Sequence, residues 1–325
     1  MLLNIYNPFF DMKKICLLLL SSLLYFGCTK NDDCPVKTPD KDLVSPELYA
    51  RLVSRTPLNG TLDVFPCEEN SSTFYGNYFD NTLTDLGGYY NVSNGYAVDG
   101  SNPIVLPIGT YNMVYWGITD APVTSSTPYP ITPAVDINRN LADYYYTLRP
   151  NSDTTFYPAR DLVHATGEVK IGTDELTAEL ERAVAGFNVI LKNENSEKFN
   201  ESIKSVNVHI GGIAEGLNFY TAKPNDKNIT ISFPMTISPD STEINHTTVM
   251  LFPSVATPQL KIFIYLKNGA VKTYQQALDT PFVANNKLTL TLTLNEIFSE
   301  ESTTGSFTVS NWNLENETID LPPIN

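Results

Sequence analysis

The chain has 325 residues, enough for two ordinary domains with cores of their own. Only 18% of them are charged, 21 Lys and Arg stand against 36 Asp and Glu, and 18 Tyr and 16 Phe make the chain rich in aromatics. An acidic, charge-poor sequence lacks the basic patches that nucleic acids and anionic lipid surfaces require, so neither is expected as a partner.

At the N-terminus, Lys13 and Lys14 precede an apolar run from Ile15 to Phe26. This is the basic and apolar pattern of a secretory signal, too short to span a bilayer, which takes about 20 apolar residues in a helix. A start at Met12 would give a more compact signal. The run stops on Gly27-Cys28 with Leu23 and Leu24 upstream, which resembles a bacterial lipobox. Residues 1–27 are therefore expected to be a signal peptide and Cys28 the lipidated first residue of the mature chain. The alternative is an ordinary signal with an incidental cysteine. Two or three acyl chains hold a protein at a membrane almost permanently, because each buried methylene contributes about 0.8 kcal/mol. Residues 28–44, polar and carrying Pro35 and Pro39, read as a tether. With Cys16 lost in the signal and Cys28 acylated, Cys34 and Cys67 remain as a candidate disulfide, stabilising by roughly 3–4 kcal/mol, or as two unpaired thiols.

Ser45-Pro-Glu-Leu-Tyr-Ala-Arg-Leu-Val-Ser-Arg55 fits one short helix capped by Ser45, with Pro46 at its first position. Strand signals dominate thereafter. Thr61 to Pro66 alternates, Pro103 to Trp116 reads as strand, turn and strand, and Ala142 to Leu148 as an aromatic strand. Residues 45–165 are expected to form one β-sandwich and 166–325 a second, the latter starting with the strand Gly167 to Gly172. In Leu176 to Val189, Leu176, Leu180, Val184 and Phe187 have helical spacing, yet Ala183 to Leu191 alternates, and the second part reads as strand. Ile203 to Ile210, Asn228 to Phe233, Thr247 to Phe252, Leu260 to Leu266, Lys287 to Leu294 and Gly305 to Trp312 follow as strands. Gly211-Gly212 is expected to be a hairpin or bulge. The fold class is all-β, without βαβ alternation.

Catalytic signals are missing. His164, His209 and His246 are far apart with no second ligand at metal spacing, and no nucleophile elbow, Walker loop, zinc-protease motif or dinucleotide fingerprint occurs. No enzyme activity, cofactor or metal is expected. Tyr89, Tyr90, Trp116, Tyr144 and Tyr146 form a candidate aromatic platform for a sugar ring or a host protein; equally, alternate tyrosines of a strand face core and solvent.

With these residues in view, the chain resembles the fimbrillin-like proteins of Bacteroidales pili, in particular the FimB-like anchor and accessory lipoproteins. The resemblance lies in Cys28, in Leu106-Pro-Ile-Gly-Thr-Tyr111, in Leu180-Glu-Arg-Ala-Val-Ala-Gly-Phe-Asn-Val189, and in Lys287 to Leu294 followed by Phe307-Thr-Val-Ser-Asn-Trp312. It implies two tandem transthyretin-like Greek-key sandwiches and a role in pilus assembly, with other fimbrial subunits as partners. Lys30-Asn-Asp-Asp33 looks like the signal that sends such lipoproteins to the outer face of the outer membrane. In this family shaft subunits lose a first strand after an Arg or Lys, which makes Arg51 and Arg55 candidate processing sites; alternatively both solvate a short helix. Trp312, Leu314, Ile319 and Leu321 form a candidate docking segment, or an ordinary edge strand. A glycan-binding surface lipoprotein serving polysaccharide uptake is the alternative function.

Overall fold

The computed structural model describes residues 42–120, 128–193, 198–199, 202–293 and, for the backbone alone, 306–311. In chain order the first strands are β1 (Leu43–Val44), β2 (Leu48–Leu52), β3 (Gly60–Cys67), β4 (Asn77–Phe79), β5 (Thr82–Thr84), β6 (Gly88–Ser93), β7 (Tyr96–Asn102), β8 (Leu106–Pro107) and β9 (Gly109–Thr119). A 3-10 turn, Leu141–Asp143, precedes β10 (Tyr145–Thr147), β11 (Leu162–Ile171) and β12 (Leu176–Arg182). The remainder is β13 (Ala185–Lys192), β14 (Ile203–Ala214), β15 (Gly216–Asn218), β16 (Asn228–Ile237), β17 (Glu243–Asn245), β18 (Val249–Leu251), β19 (Ser254–Leu266), β20 (Val271–Ala277), β21 (Asn286–Thr293) and β22 (Ser306–Asn311). The expected all-β class is what the chain adopts.

The segment expected to be a helix over Ser45 to Arg55 is instead the strand β2. Leu48, Ala50 and Leu52 are buried while Tyr49 and Arg51 are half-buried, a period of two, not 3.6. Its partner decides the matter. β2 runs parallel to β12 in the register Leu48↔Leu176, Ala50↔Ala178, Leu52↔Leu180. The first part of Leu176 to Val189 is thus also a strand, and two segments with helical leucine spacing satisfy each other as a parallel pair.

That pair closes a ring. The order β11-β12-β2-β7-β6-β3-β9, with β9 returning to β11, is a closed barrel where the sequence suggests two facing sheets. Closure leaves the barrel sheet without a terminal strand, while the two-stranded sheets β1-β8 and β4-β5 stand outside it. Its joints are unequal: β9 and β11 share ten register pairs, whereas β11 and β12 share two and β2 and β7 one. Position 166, the expected start of the second half, lies within β11, and the barrel runs on to Arg182.

Residues 185–311 build the second half, ordered β20-β19-β14-β16-β17-β13-β21-β22 with β18 also on β13. The sheet folds over so that Phe187 of β13 meets Phe233 of β16 edge-on, ring centroids 6.4 Å apart. Gly211-Gly212 is a bulge: the register of β14 shifts between Gly211 and Ile213, and Gly212 takes φ +84, where an L side chain would be strained.

Two cores meet across one barrel wall. Leu62, Val64, Met113 and Tyr115 point into the barrel, whereas their neighbours Phe65, Cys67, Val114 and Trp116 point outward into the core of the second half. The period of two along β3 and β9 therefore ties both halves to the same strands.

Candidate interaction site

The chain enters the fold at Asp42, whose carbonyl accepts a hydrogen bond from Ile108 N–H at 3.2 Å, and β1 pairs with β8. Arg51, next to buried Ala50, forms a 3.3 Å ion pair with its register partner Glu179 on β12. Arg55 follows in a tight turn, closed by Leu52 N–H donating to Thr56 carbonyl at 2.8 Å and Arg55 N–H donating to Leu52 carbonyl at 2.8 Å. Arg55 is exposed, with φ 66 in the left-handed region. The two candidate processing arginines thus differ: Arg51 is held within a strand, and Arg55 stands on a turn.

Cys67 is buried at the end of β3 and has no disulfide partner among the described residues; as a thiol its pKa is pushed up to about 12 by burial and then by the Glu68 charge. Cys28 and Cys34 lie outside the described residues, as do Trp312, Leu314, Ile319 and Leu321. The backbone immediately before Trp312 is β22, which pairs with β21 and is the outermost strand at this end of the sheet among the described residues. The other end of that sheet is β20, which among the described residues pairs with β19 alone. Val271, Lys272, Thr273, Gln275 and Ala277 of this strand are exposed. Leu266 N–H donates to Ala270 carbonyl and Leu278 N–H to Pro258 carbonyl. Alternation then turns the backbone groups of Val271, Thr273, Gln275 and Ala277 away from β19. Such a row can pair with another chain, and Lys272 is the kind of residue that discourages it nonspecifically.

The five residues of the expected aromatic platform do not share a surface. Tyr90 is buried in the barrel, with its hydroxyl accepting from Ile104 N–H at 2.8 Å. Trp116 and Tyr146 are buried in the other core, ring centroids 5.0 Å apart, and Phe219 stacks on both at 5.9 and 5.8 Å. Tyr144 is half-buried and Tyr89 exposed. Of the two readings of these tyrosines, inward and outward alternation is the one seen. In Tyr144-Tyr-Tyr146 the exposed residue is Tyr145, which sequence reasoning passed over; three identical neighbours carry no sign of phase.

The histidines pack on separate rings: His164 against Trp116 at 4.7 Å, His209 against Phe263 at 4.8 Å, His246 against Phe233 at 5.2 Å. Burial takes His164 down to about 4. Asp63 lines a cleft with Tyr89, Asp85 and Asp136, and burial raises it to about 6. Among the described residues no three His, Cys, Asp or Glu side chains are grouped to hold a metal ion, and no helix is long and apolar enough to cross a membrane.

Residues 53–318 match the model of the fimbrillin-A associated anchor proteins Mfa1 and Mfa2. The chain belongs to this family of fimbrial anchor proteins. The match takes in β3 to β22, both halves of the fold, and bears out the resemblance read from the sequence. No curated protein sequence matches. Among solved structures, the chain is similar to a protein of Bacteroides uniformis assigned to cell adhesion, at 15% identity and TM-score 0.48, covering 82% of this chain and 98% of the other. It is also similar to the fimbrial anchor protein Mfa2 of Porphyromonas gingivalis (11%, 0.45, 75% and 87%) and the tip fimbrial protein Mfa3 of the same organism with C-terminal truncation (10%, 0.45, 83% and 100%). The family assignment rests on the family match. A fimbrial anchor or accessory role and a place in the cell envelope follow from it, and the family is not a class of enzymes.

Proposed function

We propose that this member of the fimbrial anchor family is a lipoprotein of the outer membrane, exposed at the cell surface, that keeps its N-terminal segment and joins fimbrial subunits through a free sheet edge. The observation that carries the reading is the position of β2. It is the first long strand after the segment with Cys28, and it is built into the barrel by five parallel pairs with β12 and by the buried Leu48, Ala50 and Leu52.

A pull on the tether reaches β1, paired with β8, and then β2, which the hydrogen bonds of that parallel pair hold in the barrel. A cut after Arg55 would break the covalent link between these strands and the rest of the chain, which suits a subunit that sheds a strand and not one that must hold. On this reading Arg51 and Arg55 stay intact. Cys34 pairing with Cys67 would add a second link, and Trp312, Leu314, Ile319 and Leu321, which follow β22 in the sequence, would serve as a second docking element.

Membrane fractionation tests it. Cys28→Ser is expected to move the protein from the outer-membrane fraction to the soluble fraction and to leave fimbriae unattached. Retention of that variant in the membrane would refute lipid anchoring at this cysteine.

A further inference from the structure

A small sheet bridges the two halves of the fold and has an outer face that the anchor role does not use. β10 pairs with β15 in the register Tyr145↔Asn218, Tyr146↔Leu217, Thr147↔Gly216. Ile131 adds to its far side through two backbone hydrogen bonds with Thr147, at 2.7 and 3.1 Å. Tyr146 and Leu217 face inward and are buried, while Tyr145 is 40% and Ile131 39% exposed. Over this outer face lies a cleft of about 440 Å³, walled by Tyr145, Ile131 and Phe156 and rimmed by Glu215, Asn225 and Lys227. Its volume is in the range of small-molecule sites, roughly 300–1,000 Å³.

Gly216, beside the rim, packs tightly against Asn225. At Gly216 a Cβ would stand 3.2 Å from Asn225 Nδ2 and 3.1 Å from the Tyr146 carbonyl oxygen. Asn225 is oriented by its Oδ1, which accepts from Gly216 N–H at 3.2 Å, and a side chain at Gly216 would crowd its amide donor Nδ2. Glu215 and Lys227 meet at 3.4 Å and cancel each other's charge. The cleft thus offers an aromatic wall, two further apolar walls, an oriented amide donor and a paired acceptor and donor with no net charge.

We infer that this cleft binds a neutral pyranose ring. A pyranose carries C–H groups on one face, which suit the ring of Tyr145, and hydroxyls at its edge, which both donate and accept. A charged ligand would have to break the Glu215–Lys227 pair, and a purely apolar one would leave the three rim groups desolvated. An extended peptide would need an open sheet edge, but Ile131 flanks β10 and the bridge Leu217↔Pro224 flanks β15. The inference is independent of the anchor reading.

Saturation-transfer NMR on the full-length protein tests it, with the methyl pyranosides of glucose, galactose, mannose and N-acetylglucosamine as probes, beside methyl glucuronide and a tetra-alanine peptide. At least one neutral pyranoside is expected to give saturable transfer. Tyr145→Ala should weaken that binding ten-fold or more and Asn225→Ala several-fold, while Tyr96→Ala, at an exposed tyrosine of the barrel, should leave it unchanged. Absence of transfer to every neutral pyranoside, transfer confined to glucuronide or peptide, or full binding by both Tyr145→Ala and Asn225→Ala would overturn the inference.

Discussion

Trp116 donates its indole N–H to the carbonyl of Phe219 at 2.7 Å, a buried hydrogen bond between a barrel strand and the residue that follows β15. Around it, Asn112 Nδ2 donates to Tyr220 Oη at 2.6 Å and Asn218 Nδ2 to the Ala142 carbonyl at 2.7 Å. Trp116→Phe would keep most of the ring packing but strand a buried carbonyl, which costs about 1–3 kcal/mol. Trp116→Ala would add a cavity and reach roughly 3–5 kcal/mol. Guanidinium unfolding followed by circular dichroism should order the three proteins accordingly.

Much of this fold was legible. Alternation marks Leu260 to Leu266 and Lys287 to Thr293 as strands because one face of each is buried, and Thr61 to Pro66 because its apolar residues alternate, here into two different cores. The β2 segment was not, since Leu48 and Leu52 satisfy both a helix and a strand, and the arbiter is Leu176 to Leu180, far away in sequence. Barrel closure depends on the same distant parallel pair, so the local pattern could only suggest opposed sheets. The phase of Tyr144-Tyr-Tyr146 is set by the 3-10 turn before it, where Asn140 Oδ1 caps Ala142 N–H at 2.9 Å. The candidate docking elements were half legible: the last strand was read correctly, whereas the free edge of β20 is a property of sheet order.

The weak β11/β12 joint is braced by a buried ion pair. Asp161, fully buried, accepts from Arg182 Nε at 3.0 and 3.2 Å and from Thr119 Oγ1 at 2.5 Å. Arg182→Met would leave a buried carboxylate without its counter-charge and should destabilise by about 3–5 kcal/mol. Asp161→Asn combined with Arg182→Met should recover part of that loss. A double-mutant cycle in urea gives the coupling, and additive single effects would contradict it.

Asp63 and His164 should tilt stability in opposite directions with pH. Asp63 titrates at about 6 in the fold against an ordinary 3.8, so between these values the native state holds the extra proton and stability falls as pH rises. His164 titrates at about 4 against 6.5, so the unfolded state holds the extra proton and stability falls as pH drops through that window. His209, lowered by burial and by Lys261, acts in the same sense as His164. Asp63→Asn should therefore raise stability at pH 7 by about 1–3 kcal/mol and expose a steeper gain from pH 4 to 6.5. His164→Gln should show the reverse slope between pH 4 and 6. Denaturant midpoints across that range check both.

The outward backbone of β20 makes a separate prediction for subunit joining. Thr273→Pro removes an N–H that faces away from β19, so the fold should lose at most about 1 kcal/mol. Capture of fimbrial subunits by the purified protein should nonetheless weaken if this edge is the joint. Undiminished capture would shift the joint to the β22 end.

The mature N-terminus is the most direct test of a permanent anchor. Mass spectrometry of the native surface protein should show a chain that begins at acylated Cys28 and continues uncut through Arg51 and Arg55. A major species beginning at Leu52 or Thr56 would contradict the account and make the protein a strand-shedding shaft subunit.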